Sequence, residues 1–341
     1  NMHRTRVFGT EAEVHRAWRA GTSALGVHLR DEGIVSNVLG EPLATSMDAP
    51  GARDPYTRKG GRRNMALHVD HRYTWKRIML DAGVLLNLNT AFSSTWVPGL
   101  DLSFGWNDQH TTYASVARAF RLPTYTDLYY NRGGAVGSLD LRPEHGDQVE
   151  VGHRIRVGRW SGSVSAFARQ GHDLIDWVKL SGEQVVRAAN ITSLAIIGAE
   201  LSARWTAADE KSTAGGSYAH LSADRTTFDF TSLYVLDHLR HRLAIWGERR
   251  WGPVTFRTNL TWQERTGTYI SFGEKIPTAY PSTIRLDARL SWDLGRVQLF
   301  ASGYNLLNTP QMDRANVPLP GRWITGGVTV KWQQRTAQKA R

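Results

Sequence analysis

The chain has 341 residues, a formal net charge of +11 and no cysteine, which excludes a disulfide framework and thiolate metal sites. Its mean hydropathy is -0.40, and no stretch approaches the ~20 consecutive apolar residues that a membrane-spanning helix needs. A membrane β-barrel is not excluded, because its strands alternate lipid-facing and lumen-facing residues and therefore average out as polar.

Period-two alternation of apolar and polar residues predicts about fifteen β-strands in chain order. One strand near the C-terminal end carries Phe256 and Leu260 on one face and Arg257 and Asn259 on the other, since successive side chains in a strand point to opposite faces. The predicted strands are 3–18, 22–38, 61–75, 78–90, 98–107, 110–120, 147–157, 160–178, 186–205, 212–222, 236–249, 253–265, 283–293, 296–304 and 323–332.

Short and long connections alternate between these strands. The long ones are 39–60, 91–97, 120–146, 179–185, 223–235, 266–282 and 305–322. Tryptophans lie beside the short connections or at the chain end, at positions Trp75, Trp160, Trp205, Trp251, Trp292 and Trp332. Indole rings prefer the membrane–water boundary. This plan, with short turns at one end and long loops at the other, predicts an all-β, transmembrane antiparallel β-barrel.

A set of motifs follows in order through the second two-thirds of the chain. Its members are Phe120, Arg121, Pro123, Asp127, Leu128, Tyr129, Pro143, Glu144, Glu150, Gly152, Asn190, Gly198, Glu200, Asn305 and Asn308. Their order and spacing resemble the C-terminal barrel of TonB-dependent outer-membrane receptors, although Ser138 stands where that family usually has Asn. The segments 174–177 and 232–242 look most similar to its vitamin B12 and siderophore branches.

The resemblance implies about fifteen strands of a 22-stranded barrel whose plug domain is absent from this chain. Residues 1–332 would form the partial barrel, and 333–341 a basic tail. The expected location is the bacterial outer membrane, in contact with its lipid. Such a receptor imports a scarce solute, for example a ferric siderophore, another metal chelate or a corrinoid, and TonB would act only through the absent plug. The odd strand number also suggests that upstream strands are missing. No cofactor is expected.

Aromatic and polar residues in or beside the long connections are the candidate ligand contacts. Aromatic side chains supply stiff contact area, and arginine recognises anions. The candidates are Tyr125, Tyr129, Tyr130, Asn131, Arg132, Trp177, Tyr234, Tyr269 and Tyr280. The alternative for each is an ordinary solvated loop residue.

The motif residues themselves are interpreted as structural. Pro123 restricts the residue before it to extended conformations, and Asp127 can cap a local turn. Glu144 and Glu150 are expected to pair with arginines such as Arg154. A row of arginines is expected to face the lumen, where anionic solutes or plug carboxylates would be partners: Arg118, Arg154, Arg156, Arg169, Arg204, Arg257, Arg285 and Arg289.

Other function classes are less favoured by the sequence. His68 and His71 are three residues apart, so on a strand their rings point to opposite faces, and no metal site is expected. The sequence contains no nucleophile, phosphate-loop or dinucleotide-binding motif, so it gives no indication of an enzyme. A soluble extracellular β-protein that binds glycans stays open as an alternative. A nucleic-acid binder would need a basic stripe on one exposed face, whereas here arginine alternates with apolar residues.

Overall fold

The computed structural model of the protein describes residues 2–180, 182–224, 230–232, 238–270, 276–312 and 317–331. Most of these residues are in β-strands, and the one helix among them is α1, Tyr125–Tyr129. No described helix has the length and apolar character needed to cross a membrane.

Twenty-one strands are described, and six of them are short and lie in the long connections. The long strands are β1 His3–Trp18, β2 Gly21–Ser36, β4 Tyr56–Trp75, β5 Ile78–Asn89, β6 Thr95–Gly105, β7 His110–Arg121, β10 Glu144–Val157, β11 Trp160–Leu180, β12 Val186–Thr206, β13 Ser212–Asp224, β15 Leu239–Trp251, β16 Val254–Arg265, β19 Thr283–Asp293, β20 Val297–Tyr304 and β21 Trp323–Val330. The short strands are β3 Glu41–Met47, β8 Asn131–Arg132, β9 Ala135–Val136, β14 Phe230–Ser232, β17 Thr268–Ile270 and β18 Pro277–Ala279.

Each long strand corresponds to one predicted strand, with ends that differ by a few residues. The short strands and α1 were not predicted from the sequence. Two of the short strands have partners distant in the chain: β9 pairs in parallel with β12, and β14 pairs with the end of β11. The strands β3, β8 and β17 each pair with the next strand along the chain. Alternation within a three-residue segment carries too little signal to reveal such pairing.

The chain forms two compact units. The first consists of Asn1–His153, Ser165–Gly198 and Ser222–Leu236, and the second of Arg154–Val164, Ala199–Leu221 and Asp237–Arg341. In the first unit β1, β2, β4, β5, β6 and β7 form a continuous antiparallel ladder. In the second, β13, β15, β16, β19, β20 and β21 do the same.

The strand register separates apolar from polar side chains onto opposite faces. Between β16 and β19, Leu260 lies opposite Leu286, whereas Asn259 lies opposite Asp287. The apolar face is exposed, and Leu290 retains 50% of its accessible surface. Exposed apolar faces of this extent mark a surface that contacts something other than water.

The buried apolar core of the described residues is small and lies mostly in the first unit, in the long connections and in the strands that lead into them. Ile34, Val38 and Leu39 form one buried cluster. Leu141, Ile175 and Ala188 form another. The long connections are therefore packed against residues of the strands that flank them.

One arginine does not lie where the sequence predicted it. Arg118 was expected on the lumen face. In the β6–β7 register Val116 lies opposite Leu100, and both are exposed apolar residues. Residues two apart on a strand point to the same face. Arg118 therefore shares the face of the apolar Val116. It is stabilised there near the end of β7 by two hydrogen bonds to the carboxylate of Asp147, at 2.7 and 3.0 Å.

Candidate functional site

The motif after β7 builds a capped helical turn. Pro123 ends the strand, and Thr124 is the N-cap of α1. The Thr124 hydroxyl accepts a hydrogen bond from the backbone N–H of Asp127 at 3.1 Å, and the Asp127 carboxylate accepts one from the backbone N–H of Thr124 at 2.9 Å. This reciprocal capping box fixes the direction in which the chain enters the connection. The sequence indicated the turn at Asp127 but not the helix.

Asp127 also joins α1 to two other parts of the first unit. Its carboxylate retains little solvent exposure, and it accepts a hydrogen bond from the indole N–H of Trp177 at 3.3 Å. Arg121 lies 3.4 Å away and forms an ion pair with Asp127 and a second with Glu144. A buried carboxylate with several donors is stable only while those donors are in place.

A second set of ionic contacts, from β2 and β4, supports α1. Arg62 donates a hydrogen bond to the backbone carbonyl of Pro123 at 2.7 Å and another to Glu32 at 2.8 Å. Arg30 holds the other carboxylate oxygen of Glu32 at 2.9 Å. The guanidinium of Arg62 lies 5.3 Å from the ring centre of Tyr125. These ionic partners lie on β2 and β4, far from the motif in sequence, so the sequence alone did not indicate them.

Four of the predicted ligand contacts come together, and we call Tyr125, Tyr129, Tyr130 and Trp177 the aromatic cluster. The three tyrosines pack against the buried cluster that contains Ile34. The rings of Tyr125 and Tyr129 stack with centres 6.5 Å apart, and Tyr130 meets Trp177 edge to face at 6.1 Å. Each ring is half-buried, so the cluster both anchors the connection and presents part of its surface.

The phenols of Tyr125 and Tyr129 are held in the neutral form. Burial raises the pKa of Tyr125. Burial likewise raises the pKa of Tyr129, and the carboxylate of Glu41 adds to that rise. At neutral pH both side chains are therefore hydrogen-bonding phenols, and neither supplies a negative charge that would repel an anionic solute.

Asn131 and Arg132 follow the aromatic cluster and are exposed. They form β8, which pairs with β9, and β9 in turn pairs with the start of β12. The backbone of these two polar residues, one of them cationic, is thus paired in a hairpin that directly follows the aromatic cluster in the chain.

Asn190 ties three segments of the first unit together. Its side chain accepts a hydrogen bond from the Arg142 backbone N–H at 2.9 Å and donates to the backbone carbonyls of Arg142 at 3.0 Å and Asp173 at 2.5 Å. Asp173 has a left-handed backbone with φ 52°. Asn190 therefore shapes the connection rather than facing a solute.

Glu150 and Gly152 form a packing motif around one tyrosine of β7. The hydroxyl of Tyr113 donates a hydrogen bond to Glu150 at 2.8 Å, and Gln148 donates to the other carboxylate oxygen at 3.1 Å. The Tyr113 ring occupies the space where a Cβ of residue 152 would lie, so only glycine fits there.

The remaining predicted contacts belong to the second unit or to undescribed residues. The rings of Tyr269 and Tyr280 lie 5.0 Å apart, and the guanidinium of Arg265 lies 5.7 Å from Tyr280, which is buried. Tyr234 falls outside the described residues, as do Trp332 and the predicted tail. The division into a barrel of 1–332 and a tail therefore stays a prediction.

Two motif asparagines of the second unit shape the last long connection. Asn305 and Asn308 have φ 48° and 53°. The Asn305 side chain exchanges hydrogen bonds with the backbone of Thr309, and Asn308 accepts one from the backbone N–H of Arg322 at 2.9 Å. Asn tolerates the left-handed region better than other side chains that carry a Cβ. The motif residues Gly198 and Glu200 lie on β12.

Several lumen-facing arginines find partners within their own sheet. Arg257 forms an ion pair with Glu248, and Arg285 forms one with Asp287 at 3.1 Å. Arg289 lies over the ring of Phe300 at 3.9 Å. Their positive charge is thus partly balanced inside the second unit.

Cross-strand histidine pairs were not indicated by spacing along the chain. His220 lies directly opposite His241, with the two Nδ1 atoms 3.3 Å apart. The Nδ1 atom of His110 lies 3.2 Å from Nε2 of His153. Only the strand register could have revealed them. Within the described ranges, no group of three or more His, Asp or Glu side chains is placed to hold a metal ion.

The chain is similar to known receptors and transporters. A family model described as TonB dependent receptor-like, beta-barrel, matches residues 4–306. Over 155 residues the chain is 27% identical to the vitamin B12 transporter BtuB of Vibrio vulnificus (strain YJ016), an alignment that covers 45% of this chain and 24% of that protein.

Solved structures of receptors share the fold. The ferric enterobactin receptor PfeA of Pseudomonas aeruginosa superposes with a TM-score of 0.73 at 16% identity, covering 96% of this chain and 54% of that one. The siderophore receptor PirA of Acinetobacter baumannii gives 0.73 at 15%, with coverage of 96% and 54%. The copper transporter OprC gives 0.74 at 15%, with coverage of 96% and 57%. The chain spans about half the length of these structures.

These similarities confirm the predicted all-β, antiparallel barrel fold and the predicted family, and they do not favour the soluble glycan-binding alternative. The match over residues 4–306 covers most of the sequence. The chain therefore belongs to the TonB dependent receptor-like β-barrel family.

Proposed function

We propose that this chain is the barrel portion of an outer-membrane receptor that takes up a scarce, bulky solute such as a ferric siderophore or a corrinoid. The observation that carries the proposal is the family match over residues 4–306. The named similar proteins are receptors or transporters for vitamin B12, siderophores and copper, so transport, and not catalysis, is the proposed role.

The surface of the strands supports a place in a lipid bilayer. Large apolar side chains stay exposed along the strands, including Leu25, Leu201 and Leu290. At the short-connection ends, Trp75 and Trp251 are about half exposed, where amphipathic indoles would meet the lipid headgroups. The opposite faces carry the charged residues and would line a wet lumen.

Solute recognition is proposed at the long connections of the first unit. The half-buried Tyr129 and Tyr130 offer ring surface, and the exposed Arg132 offers a cation. Ferric siderophores and phosphate-bearing corrinoids combine flat apolar surface with negative charge, which this pairing of groups would recognise. Energy coupling through TonB would require a plug domain.

Ligand titration tests the proposal. The purified chain, folded in a neutral detergent, is titrated with ferric enterobactin, with cyanocobalamin and with Cu²⁺, and tryptophan fluorescence is recorded. We expect saturable binding of one of the two bulky solutes. Arg132→Gln should weaken it about tenfold, the loss of one charge-assisted hydrogen bond.

The matched control is Arg19→Gln, an exposed arginine in the short connection between β1 and β2. It should leave binding unchanged. A chain that shows no heat-dependent shift in gel migration, and that stays soluble without detergent, would contradict the barrel. A folded barrel that binds neither of the two bulky solutes would contradict the proposed solute class.

A further inference from the structure

An apolar groove runs along the exposed face of the first unit, on the side where the alternation places lipid. It has a volume of about 650 Å³ and lies across β1, β2, β4 and β5. Phe8, Leu29, Met65 and Leu88 form its lining, and Phe8 keeps 64% of its surface exposed. A groove of this kind would be unfavourable in water.

The strand register places the groove near the ends that carry the long connections. Leu29 lies opposite Thr10 and Met65, and Met65 lies opposite Leu88. Two residues further along the strands toward the long connections, Phe8 lies opposite Asp31, and Asp31 lies opposite Arg63. The apolar groove therefore ends at a row of charged side chains.

Two arginines share the one carboxylate of this row. Arg63 donates to Asp31 at 3.1 Å, and Arg6 approaches the other oxygen at 3.8 Å. The guanidinium of Arg6 also lies 5.4 Å from the ring centre of Phe8. Both arginine side chains are largely exposed, at 68% and 81%. One carboxylate balances only one of the two charges, so the row keeps a net positive charge with free donors.

This combination matches a single class of ligand. A lipid with a phosphorylated headgroup places apolar chains and anionic oxygens at adjacent depths, and arginine binds phosphate through two parallel hydrogen bonds. A zwitterionic or uncharged lipid would fill the groove but leave the arginines without an anion. The long connections lie at this end of the strands, so the lipid belongs to the leaflet on that side.

We propose that the groove and its Arg6–Asp31–Arg63 row form a specific site for a phosphate-bearing lipid, with one acyl chain against Leu29 and Leu88 and the phosphate on the two arginines. The proposal rests on the membrane location given under the proposed function. It assigns the β1–β5 surface a role in anchoring and orienting the barrel that is separate from solute recognition.

Native mass spectrometry of the whole chain in a neutral detergent tests the site. The probes are diphosphoryl lipid A, the same lipid after removal of its phosphates, and inorganic phosphate. We expect selective retention of one copy of the diphosphoryl lipid. Arg63→Gln should weaken it about fivefold, and the Arg6→Gln, Arg63→Gln pair should weaken it further. Leu88→Trp, which fills the groove without changing charge, should also reduce retention.

The control is Arg16→Gln, an exposed arginine on the same face of β1 near its opposite end. It should leave retention unchanged. Equal retention of the dephosphorylated lipid, equal retention by the double variant, or displacement of the lipid by millimolar inorganic phosphate alone would overturn the site. A groove covered by a second copy of the chain would instead appear as a dimer that Leu88→Trp dissociates. These results leave the barrel assignment intact, whereas loss of heat-dependent gel migration would remove the assignment itself.

Discussion

At the scale of single residues, Asp127 carries more of the structure than any other member of the motif. Its carboxylate accepts hydrogen bonds from Thr124 and Trp177 and forms an ion pair with Arg121. It is nearly buried, with 7% of its surface exposed. A buried carboxylate with these partners stabilises the connection only as a group, because removing it leaves several donors without an acceptor.

Asp127→Ala should therefore loosen α1 without unfolding the strands. We expect a local loss of about 2 kcal/mol, the sum expected for a lost cap and lost charge-assisted hydrogen bonds. Hydrogen exchange of the α1 amides, followed by mass spectrometry, should be about 30-fold faster. Asp140→Ala, at an exposed position in the same connection, is the control. Unchanged exchange in Asp127→Ala would show that the aromatic cluster alone fixes the helix.

At the scale of elements, period-two alternation was sufficient to locate the long strands. β19 was predicted with the bounds that the structure has, because Ile284, Leu286 and Leu290 alternate with charged residues over its whole length. The site was harder to predict. The turn at Asp127 follows from local chemistry, but the packing of Tyr125 on Ile34 depends on contacts about ninety residues apart, which no local pattern encodes. Sequence reasoning therefore named the aromatic cluster without revealing that it is half-buried.

The β7–β10 pair offers a test of how tightly two elements pack. Gly152→Ala puts a methyl group into the space of the Tyr113 ring and should disturb its hydrogen bond to Glu150. We expect a destabilisation of about 1–3 kcal/mol in urea unfolding from detergent micelles. Gly146→Ala, on the same strand with nothing within 4 Å of a new Cβ, should change stability little. Equal effects of the two variants would mean that strand propensity, and not the Tyr113 contact, explains Gly152.

At the scale of the whole molecule, the described residues expose more large apolar side chains than they bury. For a water-soluble protein this would be a severe liability, whereas for strands in a bilayer it is the expected arrangement. Three proposals depend on that arrangement: solute uptake, the lipid site, and the placement of the strand-end tryptophans at the membrane surface. It implies that adjacent residues of one strand meet different solvents.

The most direct measurement is a site-directed spin-label scan of β19, Thr283–Asp293, in lipid vesicles. Because the sequence has no cysteine, each position can be labelled singly. We expect oxygen accessibility to peak at Leu286, Ala288 and Leu290, and accessibility to a water-soluble nickel chelate to peak at Asp287 and Arg289, with a period of two residues. Low accessibility to oxygen along the apolar face, or the absence of alternation, would show that this face is packed inside a protein core and would contradict the barrel.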